Sequence, residues 1–292
     1  MHTRALNKYA MLLPALIIVV ATTVFPAFFN IAYSFREWVL TRSLEPSGFI
    51  GFDNYTRALS DGDFWNSFMV SGIYTVLVGL LSTIVGLVIA VLLQKPTTVN
   101  QWIKPLLIFP FAISLTLAGY SFRFMLANGY GIFDYIITKV IPPLEGIIWL
   151  ADPAWALFWL AIPLVWQWGP LAALMFLGAM GSISEEVYEA ARIDGATPTQ
   201  IFWQITFKLL QPTIVVTVLL NATFSIRMFD LVRTMTAGGP GRATETLNYF
   251  VYRIGFSFFD VGYASALSVI LTIIMMILAY IYARALLRGG RT

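Results

Sequence analysis

Residues 184–212, SEEVYEAARIDGATPTQIFWQITFKLLQP, form the only long polar segment between two very apolar ones. Ser184 is placed to cap a first helix whose opening turn carries Glu185 and Glu186, carboxylates that suit the positive end of a helix dipole. Asp194-Gly195 ends that helix, because glycine takes the left-handed position after a helix at little cost. Thr197-Pro198-Thr199-Gln200 then restarts the chain with a Thr cap, Pro at the first helical position and Gln at the third, the pattern of a capping box. A second helix puts Ile201, Phe202, Ile205 and Leu209 on one stripe. The outcome is a stiff helical hairpin. With Ala190, Ala191 and Ala196 exposed on it, it reads either as a docking surface or as a polar loop that happens to be helical.

On either side the chain is apolar. Of its 292 residues 59% are hydrophobic and 11% charged, with a mean hydropathy of +0.78. Soluble domains carry about 25% charged residues, so this is the composition of a membrane protein. There is no cysteine, and the single histidine is His2, which leaves little for thiol, metal or imidazole chemistry. A net charge of +3 does not suggest a nucleic-acid partner. No metal or cofactor site is expected.

Runs without charge locate the spans, since about 18 or more apolar residues cross a bilayer as a helix. Lys8 to Arg36 encloses 27 uncharged residues, Asp63 to Lys95 31, Lys104 to Arg123 18, Asp152 to Glu185 32, Lys208 to Arg227 18 and Asp260 to Arg284 23. The expected fold is all-α, with six transmembrane helices near 9–35, 66–94, 104–126, 154–181, 209–235 and 261–287. They form a single transmembrane domain over 1–292, with the hairpin at 184–212. The first run is longer than a signal-peptide core and lacks a clear cleavage site, so it reads as a retained span.

Six crossings put both termini on one side. If termini, the 94–104 loop and the hairpin are cytoplasmic, that side holds Arg4, Lys8, Lys95, Lys104, Arg192, Lys208, Arg284, Arg288 and Arg291, which is half of the 18 basic residues. The count is a tie, but the cytoplasmic segments are shorter, so positive density favours them.

Polar groups inside apolar helices are costly and normally face a cavity or one another. The fifth helix offers Asn221, Phe224, Ser225 and Met228 at i, i+3, i+4 and i+7, one face mixing amide, hydroxyl and ring. Such a face suits a sugar, although interhelical packing with the amide as glue accounts for it too. The fourth helix offers Gln167 and Trp168 beside Gly169-Pro170, where a helix can kink. Arg227 and Asp230, at i and i+3, can pair with each other. The other reading is that Arg227, with Arg233, faces an anionic group on a solute.

Glu189-Ala190-Ala191, Asp194-Gly195-Ala196, Ile205 and Pro212 resemble the EAA loop of ATP-binding-cassette importer permeases, with Lys208 where that family usually has proline. Two outer elements, Gly51-Phe52-Asp53-Asn54-Tyr55 and Gly238-Gly239-Pro240, resemble the maltose-type sugar permeases, in the half represented by the larger maltose permease and the glycerol-phosphate permease.

The resemblance implies that Glu189, Ala190, Ala191, Asp194, Gly195 and Ala196 couple the chain to an ATPase. It places solute contacts on Gln167, Trp168, Leu171, Asn221, Phe224, Ser225 and Met228. It implies a bacterial or archaeal inner membrane, a second homologous permease, two ATP-binding-cassette ATPases and an extracellular solute-binding protein as partners. ATP hydrolysis would lie in a partner, because the chain has no Gly-x-x-x-x-Gly-Lys-Ser/Thr motif. The solute would be a sugar or sugar derivative, or else a glycerol-phosphate-like anionic polyol. A secondary carrier would need an ion-coupling site, for which Asp230 is the one near-buried acid.

Overall fold

The computed structural model describes residues 12–289, and for 285–289 only the backbone. Of the charges used to orient the chain, Arg4, Lys8, Arg291 and the Arg288 side chain lie outside the described residues, as does the expected start of the first span. Among the described residues there is no β-strand, only isolated bridges such as Arg36 with Phe49.

Among the described residues five helices are long and apolar enough to cross a membrane: Leu12–Ser34, Gly62–Leu93, Pro153–Gly181, Pro198–Ser225 and Val261–Arg284. A bent pair, Thr98–Ala112 and Leu115–Met125, whose halves meet at 95°, makes a sixth if it is taken as one broken span. The all-α membrane architecture is therefore the one the composition dictates. The third span, expected as one rod over 104–126, is instead broken. Pro105 and Pro110 withhold backbone donors there, and Ser114 to Leu115 restarts the helix.

One compact unit comprises residues 12–65 with Phe250–Ile274. In it the Gly51–Tyr55 element closes the end of the first span. Gly51 has φ +61°, which turns the chain so that Asn54 Nδ2 donates to the Ser34 carbonyl at 2.9 Å and the Arg36 carbonyl at 3.0 Å. The Ser34 carbonyl is one that the helix end leaves without a partner, and Arg36 lies just beyond that end. Ser34 Oγ lies 2.7 Å from the Tyr55 hydroxyl. Arg57 joins Asp260 at 2.8 Å and lies 3.9 Å over the Tyr263 ring, and the Tyr263 hydroxyl donates to Asp61 at 2.8 Å.

The second unit comprises Asn66–Tyr249 with the chain from Met275 onward. Its hub is the fourth span, 67% of whose apolar window is buried. Helices approach closely there because glycines meet small residues. A β-carbon on Gly86 would stand 2.6 Å from Ala172 Cβ and 2.9 Å from the Gly169 carbonyl, and one on Gly169 would stand 2.9 Å from Val85. Without a hydrophobic driving force between helices in lipid, this backbone proximity is what packing has to work with. Ala90, Ala172, Ala173, Phe176, Met180 and Leu210 complete the adjoining core. In the loop before the fourth span, Asp134 is buried and accepts from Trp149 Nε1 at 2.8 Å and Gly129 N at 2.9 Å.

Gly86→Val is expected to lower stability by about 1–3 kcal/mol through overpacking. Gly178→Ala, which enters open space, should leave it unchanged or slightly raised. Thermal unfolding of the purified membrane protein followed by tryptophan fluorescence measures both; equal midpoints for the two variants would remove the close-approach argument.

Candidate functional site

The hairpin forms much as its capping residues require. Its first helix is Glu185–Ile193, and Gly195 takes φ +79° while Ala196 N donates to the Ala191 carbonyl at 2.9 Å, a Schellman-type stop. Thr197 and Gln200 make the reciprocal capping box, with Pro198 at the first helical position. Ser184 does sit at the N-cap, but its hydroxyl makes no capping bond; Arg192 reaches Glu185 at 3.1 Å across the exposed face.

The arms are held together by buried Tyr188, whose hydroxyl lies 3.3 Å from Thr206 Oγ1. Glu189, Ala190, Asp194 and Gly195 are exposed, Ala196 half-buried and Ala191 buried. Ile193, between them, is 86% exposed.

The second arm differs from a plain helix. Phe202–Thr206 is a π-helical turn, which adds a residue and moves the inward stripe from Ile205 and Leu209 to Thr206 and Leu210. Leu209 is accordingly exposed and Leu210 buried. The arm does not stop at a membrane boundary. It runs on through Pro212 as one helix, Pro198–Ser225.

That helix ends at Ser225, not near residue 235, and restarts at Asp230 before the π-helical turn Val232–Thr236. The break is satisfied from the segment that follows. Thr246 Oγ1 donates to the Met228 carbonyl at 3.1 Å, and Asn248 Nδ2 to the Arg227 carbonyl at 2.7 Å. Backbone freed from a helix in an apolar setting needs such internal partners.

Two sequence expectations change in consequence. Met228 leaves the helical face it would share with Asn221, Phe224 and Ser225, and is buried beyond the break. Arg227 and Asp230 lose their i, i+3 geometry and do not pair. The guanidinium lies 5.3 Å from the Phe224 ring centroid, while Asp230 Oδ1 accepts from Thr116 at 3.3 Å.

A continuous stack crosses three spans at this level. Phe111, at the bend of the third span, meets Trp168 edge-on with centroids 5.3 Å apart. Trp168 stacks on Phe224 at 4.3 Å and 29°, and Arg227 caps Phe224. Gln167 lies beside the stack, but both its amide hydrogens are committed. Nε2 donates to the Pro110 carbonyl at 3.2 Å and the Ile113 carbonyl at 2.7 Å, holding the bend of the third span.

Ser225 Oγ donates within its own helix to Ala222, and Leu171 is half-buried. Asn221 is buried, and its Nδ2 finds no acceptor among the described residues. Phe111, Thr246 and Asn248 were not singled out by sequence reasoning; for Phe111 the signal was available, as the prolines at 105 and 110 flank a break.

Residues 64–289 match the family described as "Binding-protein-dependent transport system inner membrane component". The sulfoquinovosyl glycerol transport system permease protein of Agrobacterium fabrum is 33% identical over 274 residues, 94% of this chain and 88% of that protein. The trehalose/maltose transport system permease protein of Thermococcus litoralis is 29% identical over 94% of this chain and 92% of its own length. A chain of the bacterial alginate ABC transporter, crystallised with an alginate pentasaccharide-bound periplasmic protein, shares the fold. Its TM-score is 0.78 at 18% identity, covering 96% of this chain and 93% of that one.

Replacing Gln167 by Met, which keeps shape and removes both donors, should destabilise the chain by about 1–3 kcal/mol, because the Ile113 carbonyl loses its Gln167 donor and the Pro110 carbonyl keeps only Ile113 N. A thermal midpoint equal to that of the unsubstituted protein would show that the bend does not depend on Gln167.

Proposed function

Because the chain belongs to the family of binding-protein-dependent transport system inner membrane components, we propose that it is the permease subunit of an ATP-driven importer for a sugar or sugar derivative. The whole chain acts as one permease domain. It crosses a bacterial or archaeal inner membrane with both termini and the 184–212 hairpin in the cytoplasm. It pairs with a second, homologous permease and two ATP-binding-cassette ATPases, which hydrolyse the nucleotide, and receives solute from an extracellular binding protein. The names of its relatives, carriers of sulfoquinovosyl glycerol and of trehalose and maltose, support a carbohydrate solute.

The observation that carries this reading is the single helix Pro198–Ser225. Its 28 residues make a rod of roughly 42 Å at about 1.5 Å per residue. One end is the hairpin, where Glu189, Ala190, Asp194, Gly195 and Ala196 form the ATPase contact around exposed Ile193, while Ala191 is buried. The other end is the break at Arg227, beside Trp168 and Phe224. A push on the hairpin moves the break without an intervening loop. Gln167, Trp168, Leu171, Asn221, Phe224, Ser225 and Arg227 surround the solute, with the rings offering an apolar face to sugar C–H groups. Gln167 acts there by holding the bend of the third span. Alternating access follows if ATP-bound and ATP-free partners favour different positions of the hairpin.

Uptake by proteoliposomes containing the assembled transporter is expected to require ATP on the hairpin side and the binding protein on the other. Uptake that persists without nucleotide would point to a secondary carrier. Gly195→Asp forces a side chain onto φ +79° at the turn and adds a charge to the docking face. It should lower coupled uptake at least tenfold while the subunits still co-purify; unchanged uptake would remove the hairpin from the coupling path.

A further inference from the structure

We propose that the solute is anionic and that Arg227 is the residue that reads its charge. The inference rests on the sugar-import reading above and narrows its substrate class to sugars bearing a carboxylate, sulfonate or phosphate.

The position is a built one. Arg227 sits in the break between Ser225 and Asp230, and the carbonyls of Arg227 and Met228 are held at 2.7 and 3.1 Å by Asn248 and Thr246. Its side chain therefore projects from a fixed backbone and is exposed. Among the described residues it makes no ion pair. Asp230, the nearest acid in sequence, accepts instead from Thr116.

At the end of an apolar span the guanidinium is exposed and has no carboxylate partner among the described residues, so it can meet an anionic group without first breaking an ion pair. The local chemistry matches an acceptor-rich guest. Guanidinium has donors and no acceptor.

The aromatic stack adds the second half of the recognition. With the guanidinium 5.3 Å from the Phe224 centroid and Phe224 stacked on Trp168, one ligand can lay a C–H face against ring surface and direct an anionic group to the arginine. A planar fork binds carboxylate, sulfonate and phosphate oxygens in pairs, which a neutral hydroxyl cannot match. In this conformation Trp168 is 8% exposed, so the solute enters by displacing Phe224 from it.

The test uses the assembled transporter, with three pairs of probes: glucuronate and glucuronamide, glucose 6-phosphate and glucose, sulfoquinovose and 6-deoxyglucose. Binding to the transporter without its receptor is measured by calorimetry, and ATP-driven uptake with the receptor by tracer. Arg227→Gln is expected to weaken the charged member of the transported pair by about 10–100-fold, and its uncharged counterpart hardly at all. Arg227→Lys, which keeps the charge and loses the fork, should recover part of the loss.

Equal losses for charged and uncharged members, with the lysine variant no better, would mean a packing or lipid-phosphate role and would overturn the proposal. Trp168→Ala separates the two readings, since it should weaken both members of a pair. Neutral sugars carried in a Trp168-dependent, Arg227-independent way leave the sugar importer standing and remove the anion. If no probe of any pair binds or is taken up, the sugar reading falls and the anionic one with it.

Discussion

A helix that breaks within an apolar span releases backbone carbonyls that lipid cannot satisfy, and the arrangement of the second unit follows from how those carbonyls are met. At the bend of the third span the donor is Gln167, an amide inserted from the fourth span onto the Pro110 and Ile113 carbonyls. At the break of the fifth span the donors are Thr246 and Asn248, supplied by the segment after the Gly238-Gly239-Pro240 loop. Each break is thereby tied to a different part of the chain. The two tie points bring Phe111, Trp168, Phe224 and Arg227 into one stack.

Close packing serves the same end. Gly86 against Gly169 and Ala172 lets two spans touch at the backbone, and a β-carbon on Gly119 would overlap Thr234 Oγ1. Thr234 lies in the π-helical turn that restarts the chain after the fifth-span break, and its carbonyl accepts from Arg123 at 3.1 Å. Small residues thus let the bent third span lie against the restarted fifth. The break has support on two sides and can persist as a fixed feature instead of fraying.

The hairpin carries a comparable economy of means. Its two caps are local: a glycine with positive φ and a Thr–Gln capping box fix the turn without help from elsewhere. The π-helical turn at Phe202–Thr206 then rotates the inward stripe by one residue, so that Thr206 meets Tyr188 and Leu210 enters the core with Phe176 and Met180. In the proposed mechanism this matters more than the cap itself, because it joins the hairpin to the transmembrane rod without a flexible joint.

The sequence alone determined what depends on short-range chemistry. Runs without charge placed six crossings, since a bilayer's thickness demands a minimum apolar length. Gly195, Thr197, Pro198 and Gln200 placed the hairpin, because capping needs only neighbouring residues. The tertiary structure decided where the spans break. Nothing local stops a helix between Ser225 and Asp230, which lacks both proline and glycine. It ends there because Thr246 and Asn248, about twenty residues on, accept the task of hydrogen-bonding its carbonyls. Helical periodicity therefore assigned Met228 to a face it leaves and paired Arg227 with Asp230. The fate of both was set by donors whose arrival at that point in space no periodicity records.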